Sequence, residues 1–400
     1  MGSEFTELLE SFTAEQASIQ NLFNQERDGI GIRALVRSRG PKYVEQLSEA
    51  AKFIGSVFDG RRPMWHLREA LTTSDFPLLF GDTIDRMLLA KYKAVTPDWQ
   101  QYMRVTRTIR DFRAVKRFRC TSGAGMTDEV GIEGHYEADS VSEQSYQFTV
   151  GKYGRVRNIA WEALVNDDLD ALQSTPDDLA RQAINRDAHF ATGLFVVNTT
   201  LYAVDHTAEN GSTYSNKGTA TFSAPALAAA ISDMGDFPGD DEAGTPIMND
   251  PLYIVVGTRE MEMKVNQVLS SLVVTYTGAA EAGNLPMTSI IPAELRNKMK
   301  CVYNPFIRMR DPDTYKTSWY LFADPGDGWA VEIGYLNGHD SPELYMKLAN
   351  QIRLGGGAAI EGDFDTDARS YKMLHVIGGN HTNAVGGWRF TWMSDGTEEG

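Results

Sequence analysis

Seven histidines, at positions 66, 135, 189, 206, 339, 375 and 381, are the side chains best suited to acid–base work or metal ligation. Imidazole titrates near neutrality and offers a lone pair to a metal. Metal and catalytic sites, however, take ligands at characteristic intervals, and neither HExxH nor any paired histidine spacing occurs. His189 falls in a long helical pattern, where a packing or surface role is expected. His375 falls on a strand pattern, where a satisfied core histidine is expected. Asp363, Asp365 and Asp367 alternate like the first ligands of a calcium loop. Such a loop needs Gly at its sixth position and Glu at its twelfth, and here these hold Ala368 and Leu374. A hydrated loop is the expectation, with a weak cation site as the alternative. Asp324 and Asp327 flank Pro325-Gly326. Paired carboxylates can act as acid and base, but turns select Asp for its local hydrogen bonds. The glycines at 355–357 do not follow the dinucleotide fingerprint and read as a joint. Neither a phosphate-binding GxxxxGK[ST] nor GxSxG occurs, and Cys120 and Cys301 lack a nucleophile's context. No catalytic, cofactor-binding or metal-binding residue is assigned, so a non-enzymatic role without cofactors is expected.

Any function must be carried by the elements that periodicity predicts. Residues 1–75 read as helical and polar, with Ser3 and Thr13 as candidate N-caps and Thr13 with Gln16 as a capping box. The clearest helix is predicted from Pro41 to Phe58. Val44, Leu47, Ala51, Ile54 and Phe58 recur there at three- and four-residue steps. This stripe is too sparse for a full core and is expected to pack on another part of the molecule or on another molecule.

Over 104–151 the pattern changes. Tyr146, Phe148 and Val150 alternate with Ser145, Gln147 and Thr149, the two-residue period of a strand. Residues 105–119 are rich in Val, Thr, Ile and Phe, and Gly123, Gly125, Gly131 and Gly134 lie between. The prediction is a long two-stranded arm with a Gly-rich tip. An isolated hairpin is marginal in water, so neighbours must support it.

A second helix is predicted over 174–198. Thr175 would cap it, Pro176 sits in the first turn, and Asp177 and Asp178 complement the helix dipole. Ala180, Ile184, Ala188, Ala191 and Phe195 mark its packed face. An α/β region follows. It has a helix over 224–234 after Ser223, a buried strand over 252–256, and a helix capped by Thr258 with Met261, Val265, Val268 and Leu272 inside. Further strands are predicted over 299–303, 318–322, 330–335, 371–377 and 387–393. In the last, Trp388, Phe390 and Trp392 alternate.

The 400 residues suffice for two or three domains and a substantial core. A hydrophobic content of 42% and a charged content of 23% are ordinary for a globular protein. The formal net charge of −16 argues against nucleic-acid or anionic-membrane affinity as the main task. Two distant cysteines give no disulfide framework and point to reduced thiols in a cytosolic setting. The first residues carry Glu4, Glu7, Glu10 and Glu15, unlike a secretory leader, and no apolar run reaches membrane-spanning length. These features exclude membrane, secreted, disordered and fibrous classes, and leave an acidic assembly or enzyme. Charge is also segregated. From Arg86 to Arg119 ten bases face only Asp98 and Asp111, whereas from Cys120 to Gly151 there are six acids and no base. A ribbon with a basic side and an acidic tip suits an oppositely charged neighbour; a solvated face is the alternative.

Three stretches together resemble the major capsid proteins of tailed bacteriophages, in particular the Mu-like major head subunit branch. The first is Phe148-Thr149-Val150-Gly151-Lys152-Tyr153-Gly154, leading to Trp161-Glu162-Ala163-Leu164-Val165-Asn166-Asp167-Asp168-Leu169 and the Pro176 helix. The second is Trp319-Tyr320-Leu321-Phe322-Ala323-Asp324-Pro325 with Val331-Glu332-Ile333-Gly334-Tyr335-Leu336-Asn337-Gly338 and Pro342-Glu343-Leu344. The third is Tyr371-Lys372 with Gly378-Gly379 beyond. No single motif is specific; their succession over 76–393 is.

The resemblance implies an α+β fold of the Hong Kong ninety-seven capsid type. It would have an N-terminal helical arm (1–75), a helical connection (76–103) and an extended loop (104–151). A peripheral domain would follow in two parts (152–222, with a spine helix at 176–198, and 352–400), around an axial domain (223–351). It further implies self-assembly through pentamers and hexamers into an icosahedral shell around double-stranded DNA, bound without sequence specificity. The virion would be the final location, reached after assembly in the bacterial cytoplasm. Portal, scaffold or protease and a cementing protein are implied partners, with no membrane partner. Residues 1–75 would be either an ordered arm or a scaffold-like segment removed during maturation. Some members of the family cross-link an extended-loop lysine to a neighbour's asparagine. Here 120–151 holds no lysine, and Lys116 and Lys152 lie toward the base, so a non-covalent shell is expected. An encapsulin-like cellular compartment is the alternative, and a hydrolase built on Asp324 or Asp327 a more distant one.

Overall fold

The structure is a computed structural model. It describes residues 41–58, 61–63, 66, 70, 76–95, 97–122, 141–159, 169–239, 241, 244–247, 249–270, 274–275, 288–289, 297–326, 328–347 and 369–398. Ser3, Thr13, the arm's tip at 123–140, Leu272, Asp327, the glycines at 355–357 and the triad Asp363, Asp365 and Asp367 lie outside the described residues.

Helix α1 (Pro41–Phe58) has the predicted bounds, and its stripe is buried at Leu47, Ala51 and Ile54, with Ala50 and Val57 buried beside them; the side chains of Val44 and Phe58 lie outside the described residues. The stripe is covered within the chain. Leu47 and Ala50 meet Leu79 of α2 (Phe76–Ala94), and the Tyr43 hydroxyl donates to Asp82 Oδ2 at 2.6 Å. Leu88 of α2 in turn packs on Leu179, Ala180 and Ala183 of α3.

Helix α3 (Leu169–Phe195) is longer at its start than predicted. Thr175 and Pro176 lie inside it rather than at its cap. Proline's fixed φ is compatible with a helix; it removes one intrahelical hydrogen bond, which weakens the turn without requiring a boundary. The far end is set locally. Val197 takes a left-handed φ of 54° that a β-branched residue cannot propagate. Asn198 caps the exposed carbonyl of Leu194 through Nδ2 at 2.8 Å.

Along the chain the strands are β1 (Arg104–Ile109), β2 (Val115–Ser122), β3 (Val141–Phe148), β4 (Val150–Ile159), β5 (His206–Thr207), β6 (Thr213–Tyr214), β7 (Lys217–Ala220) and β8 (Pro251–Val256). They continue with β9 (Val274–Thr275), β10 (Thr288–Ser289), β11 (Lys300–Tyr303), β12 (Trp319–Ala323), β13 (Val331–Leu336), β14 (Glu343–Met346), β15 (Arg369–His381) and β16 (Thr391–Glu398). Helices α4 (Ala224–Gly235) and α5 (Arg259–Ser270) have the expected caps. Ser223 Oγ accepts from Ala226 N at 3.3 Å and Thr258 Oγ1 from Met261 N at 3.2 Å.

One five-stranded sheet is organised by β15. Its residues 369–378 pair with β4 on one edge, while 371–374 and then 377–381 pair with β14 and β13 on the other. Strand β13 pairs in parallel with β1. Gly378 permits the close crossing, because a Cβ there would lie 2.2 Å from the Thr149 carbonyl oxygen. The second sheet has the order β11-β8-β12-β16-β7. The main core joins the two sheets. It takes in Ala191 and Phe195 of α3, the aromatic strand Trp319–Ala323 and Trp388, Phe390 and Trp392.

The class is α+β, as expected, but two local expectations are corrected. Residues 104–109 do not belong to the arm. The bend at 110–114 sends β1 into the first sheet, and only β2 and β3 form the hairpin, paired from Val115↔Phe148 to Ser122↔Val141. Residues 387–390 form a 3₁₀ turn, not a strand. Gly386 takes φ 76°, and all four following residues are buried, so the aromatic alternation reflects the core and not a pleat. Each sheet also draws strands from several of the sequence ranges. Strands β13 and β14, from 223–351, lie in the first sheet. Strand β7, from 152–222, and β16, from 352–400, lie in the second. Sequence order groups neighbours, whereas long returning connections place β16 beside β12 and β7.

Candidate assembly elements

The described residues contain no cluster of three or more metal-ligating side chains. They contain no helix long and apolar enough to cross a membrane. Asp324 closes a turn, its Oδ1 accepting from Gly326 N at 2.8 Å, which is the turn role. Cys301 is half-buried, and burial pushes its thiol up to about 12, so it is protonated and unreactive at neutral pH. His189 sits on α3 beside Arg310. His206 lies flat on Trp388, with ring centroids 4.7 Å apart. Its Nε2 donates to Leu201 O and Asn216 Oδ1, both at 3.1 Å.

His375 is buried in the core as expected but only half satisfied: its Nδ1 has no hydrogen-bond partner among the described residues, and the partner of its Nε2 is a residue that the sequence reading missed. Asp187, fully buried on α3, accepts from His375 Nε2 at 2.7 Å, from the Tyr92 hydroxyl of α2 at 2.6 Å and from the Tyr335 hydroxyl of β13 at 3.2 Å. Burial first, and the neighbouring Asp187 charge second, hold both phenols well above their ordinary range, so both remain donors. One carboxylate thus ties α2, α3, β13 and β15 together. The signal was present: Asp187 lies four residues from both Ala183 and Ala191, on the face that those two alanines bury.

A second buried carboxylate fixes the hairpin. Glu332 on β13 accepts from Thr106 Oγ1 at 2.6 Å, from Arg117 at 3.2 Å and from the Tyr146 hydroxyl. Tyr146 and Phe148 of β3 pack with Ile109, Val150, Leu336 and Val376. Arg119 donates to Val385 O at 3.2 Å, and Asn380 Nδ2 donates to Gln147 O at 3.0 Å. The hairpin base is therefore docked on its own chain. Among the described residues, however, β2 and β3 pair only with each other, and Lys116 and Phe118 on the opposite face are exposed. Among the described residues strand β4 pairs only with β15, and it carries Lys152 and Arg155 exposed, charges that discourage indiscriminate strand pairing.

A family model described as phage capsid protein matches residues 143–390. A search of curated protein sequences finds no match. Similar solved structures include the capsid of the cyanophage P-SCSP1u, at 10% identity, covering 75% of this chain and 88% of that one with a TM-score of 0.45. The mature capsid of bacteriophage PhiM1 is 10% identical, with 75% and 87% covered and a TM-score of 0.44. A chain of the Microbacterium phage Oxtober96 is 14% identical, with 75% and 92% covered and a TM-score of 0.38. The family match takes in most of the hairpin's return strand, the Asp187 helix, and both sheets except β1 and β16, well over half of the sequence, and so this chain belongs to the phage capsid protein family.

Proposed function

We propose that the chain builds its shell in the manner of the Hong Kong ninety-seven capsid type, with the β2–β3 ribbon and residues 1–75 reaching across neighbouring subunits. The observation that carries the reading is the ribbon, anchored through Glu332 at its base and, among the described residues, paired with no other sheet. Heterologous contacts between identical subunits close into rings when the rotation closes. Rings of five and six, joined through such arms, would make an icosahedral container for double-stranded DNA. The net charge of −16 suits that task, because a basic wall would retain the genome. Assembly would occur in the bacterial cytoplasm, with portal, scaffold or protease and cementing proteins as partners. Negative-stain electron microscopy of the purified protein, with extraction of nuclease-protected nucleic acid, tests this. Closed shells of uniform size enclosing DNA are expected; a protein that stays monomeric at all concentrations would refute it.

A further inference from the structure

Beneath the hairpin lies a cavity of roughly 370 Å³ between β1, β2, β13 and the turn after β15. Its walls carry Arg104 from β1 and Arg117 and Arg119 from β2. The single acid lining it, Glu332, is already engaged by Thr106, Arg117 and Tyr146. The guanidinium of Arg104 lies 3.8 Å over the Trp329 ring and has no ion-pair partner among the described residues. Stacked in this way, it keeps its N–H edge for a planar acceptor. Arg117 spends one nitrogen on Glu332 while its side chain stays 38% exposed. Two guanidinium edges thus converge on one partly open space, the arrangement that recognises a carboxylate.

Resting on the shell reading above, we propose that this cavity receives a carboxylate side chain from the acidic hairpin segment 128–139 of a second copy of the chain. That segment holds Asp128, Glu129, Glu133, Glu137 and Asp139 and no base. One ribbon therefore carries both halves of a heterologous contact, positive at its base and negative beyond. The eight rungs from Val115↔Phe148 to Ser122↔Val141 carry the chain away from its own cavity. Ser122 lies five residues past Arg117, about 17 Å along a strand. Head-to-tail docking of ribbon on base repeats with one polarity, as ring closure requires.

The test uses the full-length Arg104→Lys variant, co-assembled from equal amounts of ¹⁵N-labelled and unlabelled subunits and treated with a water-soluble carbodiimide. The reagent activates a carboxylate as an O-acylisourea; the introduced amine attacks its acyl carbon, forming an amide and releasing the urea. Digestion and mass spectrometry should find position 104 joined to the peptide holding 128–139, with heavy–light pairs making up about half of the product, as random mixing of two labels gives. The product should be lost in unassembled protein. Particles that form with cross-links absent, confined to one chain, or directed to another acidic segment overturn the proposal. So does an Arg104→Glu variant that assembles normally and changes only the DNA retained, which would assign the cavity to phosphate. Should Arg104→Lys fail to assemble, Arg119→Lys gives the same readout; failure of both while the parent assembles overturns the proposal, since each retains the charge. Absence of particles from the parent protein refutes the shell reading instead.

Discussion

Replacing Asp187 with alanine should destabilise the subunit by about 3–5 kcal/mol, the range for breaking a buried charged network by removing one partner. The magnitude follows from the contacts. Asp187 is fully buried and accepts from three groups, His375, Tyr92 and Tyr335. Each donor stranded without an acceptor costs roughly 1–3 kcal/mol. Against that sum stands the several kcal/mol that desolvating the carboxylate itself costs the native state. Tyr92→Phe removes one donor and leaves Asp187 two, so it should cost only about 0.5–1.5 kcal/mol. Asp187→Asn keeps one acceptor oxygen but turns an amide N–H₂ toward donors, and should fall between. Urea unfolding of freshly purified protein, followed by tryptophan fluorescence, gives the series as shifts in midpoint at constant slope. An Asp187→Ala protein within about 0.5 kcal/mol of the parent, the ordinary range for a surface change, would refute the reasoning. So would a Tyr92→Phe protein as unstable as Asp187→Ala. If Asp187→Ala is insoluble, the order Tyr92→Phe above Asp187→Asn carries the same test.

Ala191 is fully buried against the main core, so Ala191→Trp should overpack it by at least about 1–3 kcal/mol and yield aggregates or misfolded subunits; normal particle yield would count against that packing. Burial lowers the folded-state pKa of His206 below its ordinary 6.5, so the unfolded chain binds more protons as the pH falls. The stability this contributes is complete above about pH 6.5 and is lost as the pH drops through that value toward the folded-state pKa. His206→Phe should lower the melting temperature at neutral pH and flatten its acid slope, and an unchanged slope would contradict this. Lys152 Nζ lies 4.9 Å over the Phe112 ring at the hairpin base. Because residues 120–151 hold no lysine, particles boiled in denaturant should release a single band near 44.4 kDa; a reductant-resistant ladder would point to Lys116 or Lys152 as a cross-linking amine.

Periodicity located most elements because their burial is one-sided. The stripe of α1 and the alternation of Tyr146, Phe148 and Val150 reappear as buried faces. The caps of α4 and α5 were legible because Ser223 and Thr258 act within three residues. Partnership between distant strands was not legible. Nothing local in 104–109 tells a hairpin strand from one that pairs with 332–336, and nothing in 391–398 announces β12 and β7 as neighbours. The two organising acids were visible only as anomalies. Asp187 interrupts an alanine face and Glu332 an apolar strand, while the donors that they satisfy come from far along the chain.

The position of β16 governs when this chain can become a subunit at all. Its antiparallel partner β12 and its parallel partner β7 lie far upstream, and until residues 391–398 leave the ribosome the edges of both stay open. Contacts that close over such long separations form late and slowly. A nascent or prematurely terminated chain therefore exposes aromatic strand surface to chaperones and proteases, and cannot present a finished face to its neighbours. A chain ending before residue 391 would lack the strand that joins β12 to β7, and its second sheet would stand in two pieces.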